Sequence, residues 1–186
     1  MKAKVKILLL CVFYVSNNLK AQDLNIKTDS LDTNIFFLDE ITLIESQIPL
    51  KRRESGRSII KIDSTELKSF NADIFIVVAF KILPENIWTI PKKGTINIHA
   101  SLLPNLRGAA PINWAIIYGL KKTGLTSFFI NNGIDTGDII IQEEIDINEN
   151  DTYEIIYQKL KKLSSTFILE SIKAIEGGLK PKIQSK

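Results

Sequence analysis

Two rhythms of apolar positions run along the chain. In the first half, short runs rich in β-branched and aromatic residues read as strands. Val5 to Val15 reads as a first core strand, and Asn34–Leu38 as a second, short one. Asp39–Ser46 is expected to be a short helix, residues 47–58 a loop and Ile59–Ile62 a strand. Ser64, with Glu66 and Leu67 behind it, starts a short helix that ends near Phe70. Ile74 to Phe80 is continuously apolar, which suits a strand buried on both faces in the middle of a parallel sheet. Pro84 and Pro91 punctuate the connection to the next strand, Thr95–His99. Pro111–Tyr118 reads as a helix, with Pro111 suited to its first turn and Gly119 to its end. Leu125–Ile130 and Asp138–Gln142 read as strands around the turn-rich segment from Asn131 to Gly137.

The second rhythm is helical. Asp151 to Ile175 repeats apolar residues at three- and four-residue spacing, with Ile155, Ile156, Leu160, Leu163, Phe167, Ile168, Ile172 and Ile175 on one face. Gly177-Gly178 stops it, and a short polar tail follows Pro181. Alternating strands and helices argue an α/β class: a Rossmann-like, mostly parallel twisted sheet flanked by helices. Ligands of such sheets bind outside the carboxyl ends of the strands, which points to the segments just after Phe80 and His99.

Composition narrows the chemistry. The 186 residues fit one domain, and 45% hydrophobic content is enough for a core. A single cysteine, Cys11, excludes an internal disulfide framework and a thiolate cluster. A single histidine excludes a multi-histidine metal site, so histidine chemistry here can only be that of His99. The net charge of +3 mildly favours an anionic partner but falls short of a nucleic-acid signature. The one basic run, Lys51 to Arg57, is either a solvated loop or a phosphate-contacting one. Lys2, Lys4 and Lys6 before Ile7–Val15, with Ala21-Gln22 further on, also outline an export signal. That run is too short to span a membrane.

Three segments carry candidate chemistry. In the strand Thr95–His99, residues two apart share a face, so Asn97 and His99 point together while Ile96 and Ile98 point to the other side. Buried polar side chains carry a cost unless they are used. An asparagine amide can hold a developing oxyanion, and histidine exchanges protons near neutral pH. Ala100 to Pro104 and Arg107 to Pro111 form a small-residue loop leading into a helix, where backbone amides can meet a ligand. Asp135, in Gly133-Ile134-Asp135-Thr136-Gly137-Asp138, either makes an Asx turn or orients His99, with Asp138 competing for that role.

Asn97-Ile98-His99-Ala100-Ser101-Leu102-Leu103-Pro104, then Arg107-Gly108-Ala109-Ala110-Pro111-Ile112, resembles the signature of the methionyl-tRNA formyltransferase family. Ile134-Asp135-Thr136-Gly137 resembles the second half of the formyltransferase active-site pattern, and Asn71-Ala72-Asp73 and Val77 to Pro84 fit the same family. The likeness covers about residues 64–180. It implies transfer of a formyl group from 10-formyltetrahydrofolate to the α-amino group of methionyl initiator tRNA, through a tetrahedral intermediate and without a metal. It assigns the oxyanion to Asn97, proton and electrostatic support to His99, and the holding of His99 to Asp135. Ser101, Leu102, Leu103 and Pro104 would line the folate site, with backbone near Ile82 and Leu83 facing the pterin. Both substrates are cytoplasmic, which favours the strand reading of the N-terminus and a cytoplasmic protein; a monomer with no membrane association is expected.

Residues 1–63 do not show the Gly-containing opening of the family, since the first glycine is Gly56. They are expected to form a divergent N-terminal part, with residues 64–180 the catalytic core and 181–186 a tail. The tRNA enzymes of the family carry a further C-terminal, β-rich domain that is expected to be absent here, and Lys51–Arg57 would stand in for a basic tRNA-contacting loop. Two alternatives remain: a formyltransferase acting on an amino sugar nucleotide, and a folate-binding remnant without activity.

Overall fold

A computed structural model describes residues 6–11, 34–38, 41–43, 60–62, 64–78 and 83–185. In chain order the elements are β1 (Lys6–Cys11), β2 (Asn34–Leu38), β3 (Ile41–Leu43), β4 (Ile60–Ile62), α1 (Ser64–Ser69) and β5 (Ile74–Val78). There follow α2 (Glu85–Trp88), β6 (Thr95–His99), α3 (Pro111–Ile117), β7 (Lys122–Phe129), β8 (Ile139–Asp146) and α4 (Tyr153–Glu176). The basic run Lys51–Arg57, the loop expected at 47–58, and Ala79-Phe80 lie outside the described residues. Of the N-terminal apolar run, residues 6–11 are a strand.

Six strands make one sheet in the order β2-β1-β5-β6-β7-β8. The pairs β2–β1, β1–β5 and β5–β6 are parallel, while β6–β7 and β7–β8 are antiparallel. The sheet is therefore a mostly parallel one with an antiparallel edge, as the mixed sheets of many α/β folds are. β6 is the strand at which the direction changes. Asp73 seats β1: its Oδ2 accepts the Lys6 N–H at 2.9 Å, and its own N–H donates to the Lys6 carbonyl at 2.8 Å.

One expectation is corrected. Of the helix expected over Asp39–Ser46, the described residues Ile41–Leu43 are instead strand β3, paired parallel to β4 in a second, two-stranded sheet. Eight residues are too few for a self-sustaining helix, Ile41 and Thr42 are β-branched, and Ile60–Ile62 supplies a partner ladder. β7 and β8 also extend beyond the expected strands, at eight residues each.

The two faces of the sheet bury different cores. On one, Ile7, Ile74, Ile76, Ile96, Ile98, Leu125 and Ile140 pack against Ile112 of α3 and Ile156, Leu160, Phe167, Ile168 and Ile172 of α4. On the other, Phe75 and Val77 pack with Leu67 of α1 and with Leu83 and Ile87. Helix α4 is capped by Thr152, whose side chain accepts from the Ile155 N–H, as expected of threonine at a helix start. Ile155, assigned to the apolar face, is 43% exposed, while its neighbour Ile156 is the residue of the first turn that enters the core. No helix among the described residues is long and apolar enough to cross a membrane.

Candidate active site

The alternation within β6 sorts its side chains. Ile96 and Ile98 enter the core under α3 and α4. Asn97 lines a cleft of about 440 Å³ on the other face, and His99 is 8% exposed at the strand's carboxyl end. Nε2 of His99 lies 2.8 Å from the Leu106 carbonyl oxygen. That oxygen can only accept, so Nε2 carries the proton. Nδ1 then faces Oδ2 of Asp135 at 3.6 Å. The same Oδ2 accepts the Gly108 N–H at 2.7 Å, which fixes the carboxylate opposite the ring.

Asp135 reaches this position from a self-supporting turn. The Asx turn weighed for Asp135 is made instead by Asn131, whose Oδ1 accepts from the Gly133 N–H and the Thr136 hydroxyl, both at 2.9 Å. Asp135 itself has φ 51°, a left-handed conformation that Asp tolerates better than most residues. Asp138, the rival for His99, is exposed, and its carbonyl accepts the Phe129 N–H to start the next strand. Between them Gly137 leaves no room for a side chain: a Cβ there would sit 1.6 Å from the Phe129 carbonyl oxygen.

The loop after His99 is held by one hydroxyl. Thr126 on β7 donates to the Ser101 carbonyl at 2.6 Å and accepts from the Leu103 N–H at 3.1 Å and the Gln142 amide at 2.9 Å. One donor and both lone pairs are thereby used. Gln142 also donates to the Leu103 carbonyl at 2.9 Å. Ser101 is fully buried with its hydroxyl on the Asn105 carbonyl, and Leu103 packs with Phe128 and Ile139. The Leu103-Pro104 bond is cis.

Of the residues singled out from the sequence, Asn97, Asp135 and Leu83 line the cleft, and His99 stands against Asp135. Ser101 to Pro104 form the loop next to the cleft wall at Phe128, with Ser101 and Leu103 turned into its packing. Ile82 lies outside the described residues. Val77, Trp88, Phe128 and Ile130 complete an apolar wall that motif reading did not single out. Its only advance signal was the run of strand-forming residues at β5 and β7. The amide of Asn97 has its Oδ1 buried without a hydrogen-bond partner among the described residues. Such a group is costly unless a ligand uses the side chain.

A sheet that changes direction at a strand bearing Asn-x-His, with a carboxylate turned onto the histidine beside an apolar cleft, defines an α/β protein with a histidine–carboxylate pair at a cleft. Residues 12–172 match the model of the formyl transferase family, and the chain belongs to that family. It is 52% identical over 113 residues to the methionyl-tRNA formyltransferase of Flavobacterium johnsoniae, covering 61% of this chain and 36% of that protein. Against the methionyl-tRNA formyltransferase of Bacteroides fragilis it is 46% identical over 138 residues, covering 74% of this chain and 42% of that protein. The chain thus spans well under half the length of these curated relatives. Glycinamide ribonucleotide transformylase 1 from Symbiobacterium toebii shares the fold at TM-score 0.69 and 18% identity, over 98% of this chain and 95% of that one. The formyltransferase PseJ from Anoxybacillus kamchatkensis, in complex with UDP-4,6-dideoxy-4-formamido-L-AltNAc and tetrahydrofolate, superposes at TM-score 0.65 and 25% identity, over 97% and 82% of the two chains.

Proposed function

We propose that this chain transfers a formyl group from 10-formyltetrahydrofolate to the amino group of methionyl initiator tRNA, in the cytoplasm. The observation that carries this is the placement of His99 between the Leu106 carbonyl and the Asp135 carboxylate, on the strand whose Asn97 lines the cleft. The identity of 44–52% to methionyl-tRNA formyltransferases favours the tRNA-borne amine over an amino sugar as acceptor.

The residues present fit a folate donor. Leu83, Pro84, Trp88, Phe128 and Ile130 give an apolar wall for an aromatic ring system, and Asn97 Oδ1, without a partner among the described residues, offers a hydrogen-bond acceptor. When bound, the folate supplies a formyl group activated on nitrogen. Asn97 donates from its amide to the formyl oxygen as negative charge grows there. The attacking ammonium must shed a proton before its nitrogen is nucleophilic. Asp135 lines the cleft and faces Nδ1 of His99, so the proton's route runs from the acceptor amine to the Asp135 carboxylate and His99 Nδ1, and from that pair to the donor nitrogen as its bond to the formyl carbon breaks. Nε2 stays committed to Leu106 and keeps the ring from turning. Ser101 to Pro104 hold the wall beside the donor.

The test is labelled formyl transfer from 10-formyltetrahydrofolate to a panel of amines: methionyl initiator tRNA, an amino sugar nucleotide and free methionine. Label on the tRNA above a no-enzyme control is the expected result. Label on the sugar alone would overturn the acceptor, and donor binding without transfer to any amine would overturn the activity.

A further inference from the structure

The segment after α4 reaches the Asp135 turn. Lys182 pairs with Ile139 as an isolated antiparallel bridge, with N–H···O distances of 2.8 and 2.7 Å. This sets Gln184 between two loops. Its Oε1 accepts from Arg107 Nε at 3.1 Å and Nη2 at 2.8 Å. Its Nε2 donates to the Asp135 carbonyl at 3.0 Å and the Gly137 carbonyl at 2.7 Å. The partners dictate the amide's orientation, because a guanidinium only donates and a carbonyl only accepts. Glutamate could not donate to the two carbonyls, and lysine could not accept from the guanidinium.

Arg107 stands between the two backbone groups that hold the catalytic pair. Leu106 gives the carbonyl to His99, and Gly108 gives the N–H to Asp135. Leu106 at φ 56° and Asp135 at φ 51° are both left-handed, and such conformations persist only where surrounding contacts over-determine them. The Arg107–Gln184 pair joins one strained segment to the other. We infer that Gln184 is a positioning residue: it clamps the Leu106–Gly108 segment to the Asp135 turn and so sets the distance between the Asp135 carboxylate and His99 Nδ1. The inference rests on the reading of His99 and Asp135 as the proton-handling pair.

His99 is the chain's only histidine, so a nitrogen spectrum of the full 186-residue chain labelled with 15N contains one imidazole. That spectrum and steady-state kinetics are compared for the unsubstituted chain, Gln184→Ala and Gln184→Glu. In both variants the Nδ1 resonance is expected to move, and kcat to fall about 10- to 100-fold with KM for the formyl donor near its original value. Gln184→Glu keeps an acceptor for Arg107 and sets an oxygen against two carbonyls, so it reads the donor half alone and serves if the alanine variant does not fold. An unmoved Nδ1 resonance in either folded variant, even with reduced thermal stability, overturns the clamp. Absence of transfer by the unsubstituted chain would overturn the functional reading, while the Nδ1 resonance would still decide the clamp.

Discussion

The two sides of β6 are built on opposite terms. Toward α4, Ile96 and Ile98 meet only apolar neighbours in ordinary helix and strand conformations, and any of several similar side chains would serve. Toward the loops, Asn97 and His99 meet single atoms: one carbonyl, one carboxylate oxygen, one unpartnered amide end. That side also holds Leu106, Ala110 and Asp135 at positive φ. Burial on the helix side offsets the strain and the unused polar group on the other. Substitutions of similar energy should therefore be read by different instruments on the two sides.

The largest expected effect is on the helix side. Phe167 is fully buried in the α4 core, and Phe167→Ala is expected to cost about 3–5 kcal/mol of folding stability, measured by denaturant unfolding. Activity per folded molecule should stay close to the original. A loss of activity in the folded fraction would show that the core face is not separate from the site.

Asn97→Ala comes next, at a similar energy and with the opposite readout. Loss of one oxyanion donor typically lowers kcat by about 100- to 1,000-fold. Since Oδ1 is buried without a partner, its removal should leave the melting temperature unchanged or raised. A destabilised Asn97→Ala with near-normal turnover would reverse the two roles.

How far each side was legible in the sequence follows from the same contrast. The apolar face of α4 and the run Ile74–Val78 repeat a signal over many residues, and the parallel half of the sheet follows from it. Asn97, His99 and Asp135 stood out because their motifs are contiguous, although Asp138 competed with Asp135 until the family resemblance favoured Asp135. The strand β3 and the single turn α2 are three and four residues long, too short to carry a period. Gln184 meets Arg107 and Asp135 across 77 and 49 residues, and no local pattern marks a hydrogen bond of that kind. Thr126 and Gln142 are opposite one another on β7 and β8, but their shared duty to the Ser101–Leu103 loop depends on that loop's course.

Thr126→Val should fall between the two sides. The swap preserves shape but strands the Leu103 N–H and the Ser101 carbonyl, and groups left unpaired in this way cost about 1–3 kcal/mol. Unlike Phe167→Ala, it should also slow turnover per folded molecule, because the loop it anchors runs on to the Leu106 carbonyl that holds His99. Stability loss without a kinetic effect would mean that the loop's geometry survives on Gln142 alone.

The smallest effect tests whether acid reaches the helix side without passing through the site. Just before the cap of α4, Asp151 Oδ2 accepts from the Lys159 ammonium and, at 2.9 Å, from the Asn148 N–H. The Lys159 contact first, and the Asn148 N–H second, hold this carboxyl below the ordinary carboxylate value. A carboxyl lowered in the folded chain stabilises it fully above the unfolded value, and that contribution is lost as pH falls through the folded one. The stability difference between the unsubstituted chain and Asp151→Asn should therefore be present near neutral pH and fade as pH falls below the ordinary carboxylate value. It should be small, because the ammonium is partly solvated and such pairs contribute little. His99 lies on the other face, so its imidazole resonances at neutral pH should be unchanged by Asp151→Asn. A difference in stability that did not change with pH would show that the asparagine acts through the Asn148 turn rather than through the charge.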